Sequence, residues 1–530
     1  MQQLDPPLDH AQATSNPSRR QRLLAVVTQP AIALPILTLL ALTLRLYKLQ
    51  YYSYFDDEVL STFAARQPAL EIFRHITANE DHPPLYHILL HLWTLGFGDS
   101  LIAVRLFSVL ISTACVPLLY TLGRVASNRP AALVAAGLMA IAPFQIYHGR
   151  QARMYPLLTL LVMLATLLLI QAWQRGGWWR WLLFGLIISA GIYTHAYFWL
   201  SLLALDTWAL ADMIMHRRIE RKRWAGLIAA HALAGLAFVP FLPQFFGTVN
   251  GVVQSFWLKY SSPYDWIIDL IALTNYATLV AFPGANAPWY LLPIYFPPLA
   301  ILILAFGYSV REAYRYPQER STWLLLHVLI WVPIVVATAI SLTIRPILLD
   351  RSLIGLSSAL FLLLGWMFVR YWHRRLIQLL ALAFVATCVV SIASMYPPTP
   401  QQNDLVRMAD YLAHTARPGD AIAYADWQSF DTAALTHPQQ PDVYILPLSE
   451  ANQSYWQARM RFMRWREPHQ VESVPTFGAR YQRVWLIFSL YTVGLDQHEQ
   501  VDQAWLEQHG RRIDRVEFNR AVLLLYEVLR

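Results

Sequence analysis

Eleven apolar runs constrain this chain more than any other feature of its sequence. They occupy 31–48, 101–123, 130–148, 154–173, 179–195, 197–215, 224–246, 291–310, 322–344, 352–370 and 375–395. A helix needs about 20 mostly apolar residues to cross the hydrocarbon of a bilayer. Inside lipid the backbone must satisfy its own N–H and C=O groups, so runs of this kind fold as helices. The chain is 56% hydrophobic and 14% charged, whereas soluble domains carry about 25% charged residues. The expected class is a polytopic α-helical membrane protein with eleven transmembrane helices.

Charge gives the orientation, because cytoplasmic loops carry the Lys/Arg excess. The basic clusters are Arg19 to Arg22, Arg124 with Arg129, Arg175 with Arg180, and the segments 217–223, 311–320 and 370–375. They alternate with outer loops only if residues 84–123 cross once. The short apolar run 84–97, which holds His87 and His91, is therefore expected to lie in the interface or re-enter, with 101–123 as the span. Residues 1–29 then form a cytoplasmic tail. Residues 30–395 form the membrane module, with a first outer loop at 49–100. Residues 59–76 read as an amphipathic helix lying on the outer surface, and 247–290 as a second, aromatic-rich outer loop.

After Tyr396-Pro397-Pro398 the composition changes. Residues 396–530 hold 16 acidic and 13 basic residues and no spanning run. Segments 421–424 and 484–488 read as buried strands, and 404–416 and 501–510 as helices. A small extracytoplasmic α/β domain is expected there. Cys115 and Cys388 both lie in apolar runs, which argues against a structural disulfide. No cleavable leader is expected before the first run, which follows a polar tail without a small-residue cleavage site. The chain carries 41 basic and 33 acidic residues, yet only three are Lys, and the arginines sit between apolar runs. Nucleic acid is thus not the expected partner.

A short polar patch stands at the mouth of the first apolar run: Tyr54-Phe55-Asp56-Asp57-Glu58. Carboxylates there are costly unless water, a cation or a partner satisfies them. They can cap a helix N-terminus. They can also supply a general base, with neighbouring carboxylates and His82 holding a divalent cation. His82 ends the loop in Asp81-His82-Pro83-Pro84-Leu85, where two prolines start the next helix. It either caps that helix or contacts a metal or phosphate.

Arg153 and Tyr155, in the segment 147–155, and Arg351 and Arg105 fall on the outer side. The positive-inside pattern does not explain them. Such arginines can snorkel, pair with an acid, or hold a phosphate through the planar guanidinium fork. His195 either makes a core hydrogen bond or contacts substrate. Outer carboxylates, outer arginines and a membrane scaffold together suit transfer of a group from a lipid phosphate to a hydroxyl. No nucleotide-binding glycine loop or Walker sequence occurs, which disfavours a soluble sugar nucleotide at the inner face.

These residues run in an order that resembles a known family. Asp57-Glu58 match an acidic pair in the first outer loop. The stretch from Asp81 to Tyr86 matches a His-Pro-Pro-Leu segment, and Arg105-Leu106 an Arg-Leu. Gln151-Ala152-Arg153-Met154-Tyr155 matches Glu-Ala-Arg-Met-Tyr, Tyr193-Thr194-His195 a Tyr-Thr-His, and Arg351 an Arg-Tyr. Gln151 and Ser352 depart from the pattern, and Asp56 adds a carboxylate.

The chain resembles the GT-C-fold membrane glycosyltransferases, in the group of protein O-mannosyltransferases and bacterial lipid A glycosyltransferases. The resemblance implies an inverting transfer from a polyprenyl-phosphate sugar donor to an exoplasmic acceptor hydroxyl on a glycan, lipid or protein. It implies a multi-pass protein of the inner (plasma) membrane with an extracytoplasmic active site. On this reading Asp57 is the base, helped by Glu58. Arg153, Arg351, Arg105 and Tyr155 face the donor phosphate. Asp56, His82 and His195 stand by for a metal or substrate. The rival classes are a transporter or flippase of lipid-linked glycans, which would want charges near the midplane and often internal repeats, and an inactive scaffold of envelope glycan assembly.

Overall fold

The computed structural model describes residues 29–78, 82–216, 220–255, 292–396, 403–437, 443–446, 472–489, 497–519 and 521–529. Most of the aromatic loop expected at 247–290 lies outside them, as does Asp81. The first half of the chain forms α1 (Pro30–Leu46), α2 (Asp56–Ala65), α3 (Ala69–His75), α4 (Leu85–Phe97), α5 (Leu101–Ala126), α6 (Arg129–Ile141), α7 (Pro143–Gly149), α8 (Tyr155–Arg175), α9 (Trp178–Ile192), α10 (Phe198–His216), α11 (Arg221–Phe238) and α12 (Leu242–Ser255). Four more apolar helices follow: α13 (Leu292–Arg315), α14 (Arg320–Thr343), α15 (Ser357–Tyr371) and α16 (Arg375–Ser394).

Among the described residues each apolar run is mostly helical, but eleven spans are not shown. Seven helices are long and apolar enough to cross a membrane, or eight if the bent pair α6–α7 counts as one. Helices α1 and α9 are apolar but only 17 and 15 residues long. Turn geometry sets these lengths. Lys48 adopts a positive φ of 49° just after α1, Gly176 and Gly177, at φ 65° and 95°, separate α8 from α9, and α9 stops at Ile192, short of the run's end at His195. The run at 291–310 begins outside the described residues. Helix α4 has 13 residues, about 20 Å at 1.5 Å per residue, short of a hydrocarbon core of about 30 Å.

The bend between α6 and α7 is 56°. Pro143 lacks an N–H and pushes Ala142 into an extended conformation (ψ 120°), so the helix breaks there. The break frees carbonyls at the end of α6. Arg45, fully buried in α1, answers them: its guanidinium donates to Ala140 O and Met139 O, and to Ser112 Oγ at 2.7 Å. A buried arginine in a membrane helix is tolerable when its donors are satisfied in this way. The bend delivers α7 and the turn after it, residues 150–154, to the mouth of the bundle. Small residues set the depth of packing elsewhere. A Cβ at Gly365 of α15 would lie 2.5 Å from Ala131 O of α6, so these two backbones touch.

Residues 59–76 differ from the expectation. Gln67-Pro68 divides them between α2 and α3, and residues 58–65 are buried without a break. No lipid-facing stripe exists on α2, because protein covers it on all sides. One cover is α4. The other comes from the C-terminal unit.

That unit contains α17 (Asp404–Thr415), β1 (Asp420–Tyr424), α18 (Trp427–Thr436), β2 (Val443–Ile445), α19 (Val474–Phe477), β3 (Arg483–Ser489), α20 (Gln497–His509), β4 (Gly510–Phe518) and β5 (Ala521–Val528). The strand order is β2-β1-β3-β5-β4, with β1 parallel to β2 and β3, and β5 antiparallel to β3 and β4. Side chains alternate as strands require. Ile422, Tyr424, Trp485 and Ile487 pack with Leu405, Met408 and Leu412 of α17, while Ala421, Val484 and Leu486 pack with Phe477 and Leu506 on the other face. Ala434 and Leu435 of α18 join Val59, Leu60, Phe63, Ala64 and Ile72 in one apolar cluster. The C-terminal unit therefore sits directly on α2.

Candidate active site

The three carboxylates open α2, where acids favour a helix N-terminus. Successive helical residues are about 100° apart, so the three face different ways and meet different partners.

Glu58 points inward and is fully buried. Its Oε1 accepts from Arg105 Nε and from the Ala152 N–H, both at 2.9 Å. Its Oε2 accepts from Arg105 Nη2 at 2.6 Å and from the Phe55 N–H at 3.0 Å. Arg105 spends its remaining N–H groups on the carbonyls of Leu49, Tyr52 and Ser53, at 2.7–2.9 Å. All five guanidinium donors of Arg105 are thereby engaged. The pair ties the start of the first outer loop to α5 and to the turn before α8. In this geometry both side chains are engaged by protein groups on every side that the hydrogen bonds describe.

Asp56 turns toward the C-terminal unit. Asn403 donates from its amide to Asp56 Oδ1 at 2.6 Å and to Tyr54 O at 3.0 Å, and its backbone N–H reaches Ser53 Oγ at 2.8 Å. The same Asn403 caps α17 through Leu405 N.

Asp57 meets the arginines. Its Oδ2 lies 3.4 Å from Arg351 Nη1 and 4.0 Å from Arg153 Nε, and its side chain is 40% exposed. Arg153 is buried and also donates to Asp57 O and Ser61 Oγ, both at 3.0 Å. Tyr155, Asp57, Arg153 and Asp350 surround the Arg351 charge. Arg150, three residues earlier, goes elsewhere: it donates to Lys48 O at 2.6 Å and to the Tyr396 hydroxyl, stapling α16 to the first outer turn.

His82 and His195 come together by a backbone contact. The Leu85 N–H donates to Tyr193 O at 2.9 Å, fastening the start of α4 to the end of α9. The two imidazoles then lie 4.8 Å apart, with Tyr155 6.0 Å from His195. His195 Nδ1 accepts from the Tyr197 N–H at 3.1 Å, which places the proton of the neutral ring on Nε2. That Nε2 is buried and has no hydrogen-bond partner among the described residues.

Burial, and then the charges of Arg153 and Arg351, push the His195 pKa down to about 3. The unfolded chain takes up a proton near pH 6.5, whereas the folded one does not until about pH 3. The stability contributed by neutral His195 is therefore complete above the unfolded pKa and is lost as pH falls toward the folded one. Thermal melts should weaken below about pH 6.5, and His195→Gln should flatten that decline. Identical pH profiles for the two proteins would show that the group is not buried as described.

The sequence candidates thus fall into two sets. Asp57, Arg153, Arg351, Tyr155, His82 and His195 gather at one place, whereas Glu58 with Arg105, and Asp56 with Asn403, are committed to structural partners. Among the described residues, which leave out Asp81, no three of His, Cys, Asp and Glu converge to hold a divalent cation, and the Glu58 oxygens are already taken. Ser61, Asn403 and Tyr197 are the contributors that sequence reasoning did not name. The only local signal was the place of Tyr197 two residues after His195.

Residues 81–243 match the family model described as dolichyl-phosphate-mannose-protein mannosyltransferase. No curated protein sequence matches the chain. Solved structures do. ArnT from Cupriavidus metallidurans bound to undecaprenyl phosphate is similar at 13% identity and a TM-score of 0.57, over 95% of this chain and 98% of that one. The apo oligosaccharyltransferase of Archaeoglobus fulgidus is similar at 12% identity and a TM-score of 0.53, over 91% of this chain and 72% of that one. At such identities the likeness to these structures is one of fold. The chain thus has the GT-C fold of membrane glycosyltransferases and, over residues 81–243, resembles the dolichyl-phosphate-mannose-protein mannosyltransferase family.

Proposed function

We propose that this protein transfers a sugar from a polyprenyl-phosphate donor to a hydroxyl of an exoplasmic glycan, lipid or protein, with inversion at the anomeric carbon. One observation carries the reading: a half-exposed carboxylate, Asp57, stands within 4.0 Å of two guanidiniums, Arg153 and Arg351, supplied by distant parts of the chain. Asp57 takes the proton of the acceptor hydroxyl as its oxygen bonds to the anomeric carbon. The bond from that carbon to the phosphate oxygen breaks, and the electron pair leaves on the polyprenyl phosphate. Arg153 and Arg351 stabilise the charge that develops there. The Nε2–H of His195 is a further donor on the same side. Glu58 and Arg105 position the loop and do not react. The alternation of arginine clusters along the sequence supports an extracytoplasmic site.

The undecaprenyl phosphate bound to the similar ArnT and the family model over 81–243 support a lipid-linked donor. The test is transfer of radiolabelled sugar from a polyprenyl-phosphate donor by the purified protein. Arg153→Lys keeps the charge but loses the fork. Losing one charge-assisted hydrogen bond, about 1.5–3 kcal/mol, should raise the donor Kd by about tenfold or more. Unchanged donor binding in both Arg153→Ala and Arg351→Ala would remove the phosphate role from these residues.

A further inference from the structure

The end of the bundle away from Tyr155 and His195 carries a cavity. Helix α8 starts at Tyr155, beside His195, and its 21 residues end at Arg175, about 31 Å away at 1.5 Å per residue. There, between α8, α9 and α11, lies a cavity of about 770 Å³. Its charged lining is Arg175, Lys222 and Arg223 against a single carboxylate, Glu220. Glu220 is already engaged, with Oε2 2.8 Å from Arg223 Nε. The cavity mouth is therefore electropositive.

Away from that mouth the lining is apolar: Trp173, Trp181, Leu182 and Leu233. Leu233 follows Lys222 on α11 by three helical turns, so the cavity reaches about 16 Å along the helix from its charged end. Trp178 stands at the mouth, 77% exposed, as indoles do at the level of lipid headgroups. The walls are fixed without a ligand. The Trp181 indole lies on the backbone of Gly226, where a Cβ would come within 2.3 Å of its Nε1. Trp173 donates to Asp212 Oδ2 at 2.8 Å and carries Arg223 over its ring at 5.6 Å.

A charged mouth with a long apolar floor suits one molecule with an anionic head and an apolar tail; a soluble anion would leave the floor empty. We infer that this cavity binds the phosphate head of a membrane lipid, with one of its chains lying along α9 and α11, in the leaflet opposite the candidate active site. This site shares no residue with the proposed transfer reaction and stands independently of it.

The experiment uses the full chain in nanodiscs of equal phosphatidylglycerol and phosphatidylcholine, with the lipids retained on extraction read by native mass spectrometry. Wild type should retain phosphatidylglycerol preferentially. Arg175→Gln/Lys222→Gln removes two cations whose side chains are exposed, so the fold should persist, and the preference should fall by about tenfold. Arg124→Gln, an exposed charge outside the cavity, should keep it. No preference in wild type, or an unchanged preference in the double variant, would overturn the site. Displacement of the lipid by an excess of inorganic phosphate would also overturn it, in favour of a free anion.

Discussion

Replacing Asp57 by Asn is expected to lower sugar transfer by about 10²–10⁴-fold, the usual contribution of a general base, while the protein still folds and binds its donor lipid. The substitution is nearly isosteric. It leaves the Asp57 carbonyl in place to receive Arg153 Nη1, and Ser61 still holds the same guanidinium. What is lost is an oxygen that can accept a proton. Asp56→Asn is the control. The Asp56 carboxylate is turned toward Asn403, so its loss should loosen the seat of the C-terminal unit and cost far less in rate. Assayed side by side, the two variants discriminate sharply. A near-normal rate in Asp57→Asn with a collapse in Asp56→Asn would move the base by one residue. Near-normal rates in both would leave the loop without a catalytic role.

Why Asp57 and not its neighbours was only partly legible in the sequence. Three consecutive acids beside an apolar run announce a site, because lipid does not tolerate them without a reason. Their spacing on a helix also says that they must diverge. It does not say what each will meet. Asn403 reads locally as a helix cap, and nothing near it signals a bond to a carboxylate 347 positions away. The apolar pattern of 59–76 raises the same difficulty. Composition cannot tell a face covered by lipid from one covered by protein, and here Ala434 and Leu435 supply part of the cover. Helix lengths failed for a third reason. The apolar runs extend to Lys48 and His195, two to three residues beyond where the backbone leaves the helix, at Leu46 in α1 and at Ile192 in α9. The basic clusters at 175–180 and 217–223 were readable as orientation signals, but the convergence of Arg175, Lys222 and Arg223 on one cavity needed the packing of α9 against α11.

Arg105→Gln should have the largest effect on stability, and it separates the structural reading of Glu58 from a catalytic one. Arg105 and Glu58 are 2% and 0% exposed. Removing one partner of a buried ion pair leaves the other charge uncompensated, at about 3–5 kcal/mol. A typical domain has only about 5–15 kcal/mol in total, so the variant should melt far below wild type or fail to accumulate folded. Three carbonyls, of Leu49, Tyr52 and Ser53, lose their donors as well. Glu58→Gln should behave similarly, because its amide would set N–H against the Arg105, Phe55 or Ala152 donors. The double variant Arg105→Met/Glu58→Met removes both charges and should recover part of the loss, since an apolar pair of similar volume is often tolerated where one buried charge is not. The readout is the melting temperature in detergent, measured beside donor binding. If Glu58→Gln melts like wild type and binds donor yet transfers no sugar, Glu58 is a reacting group and the clamp reading fails. If it unfolds with Arg105→Gln and is rescued in the double variant, the pair holds the loop that presents Asp57.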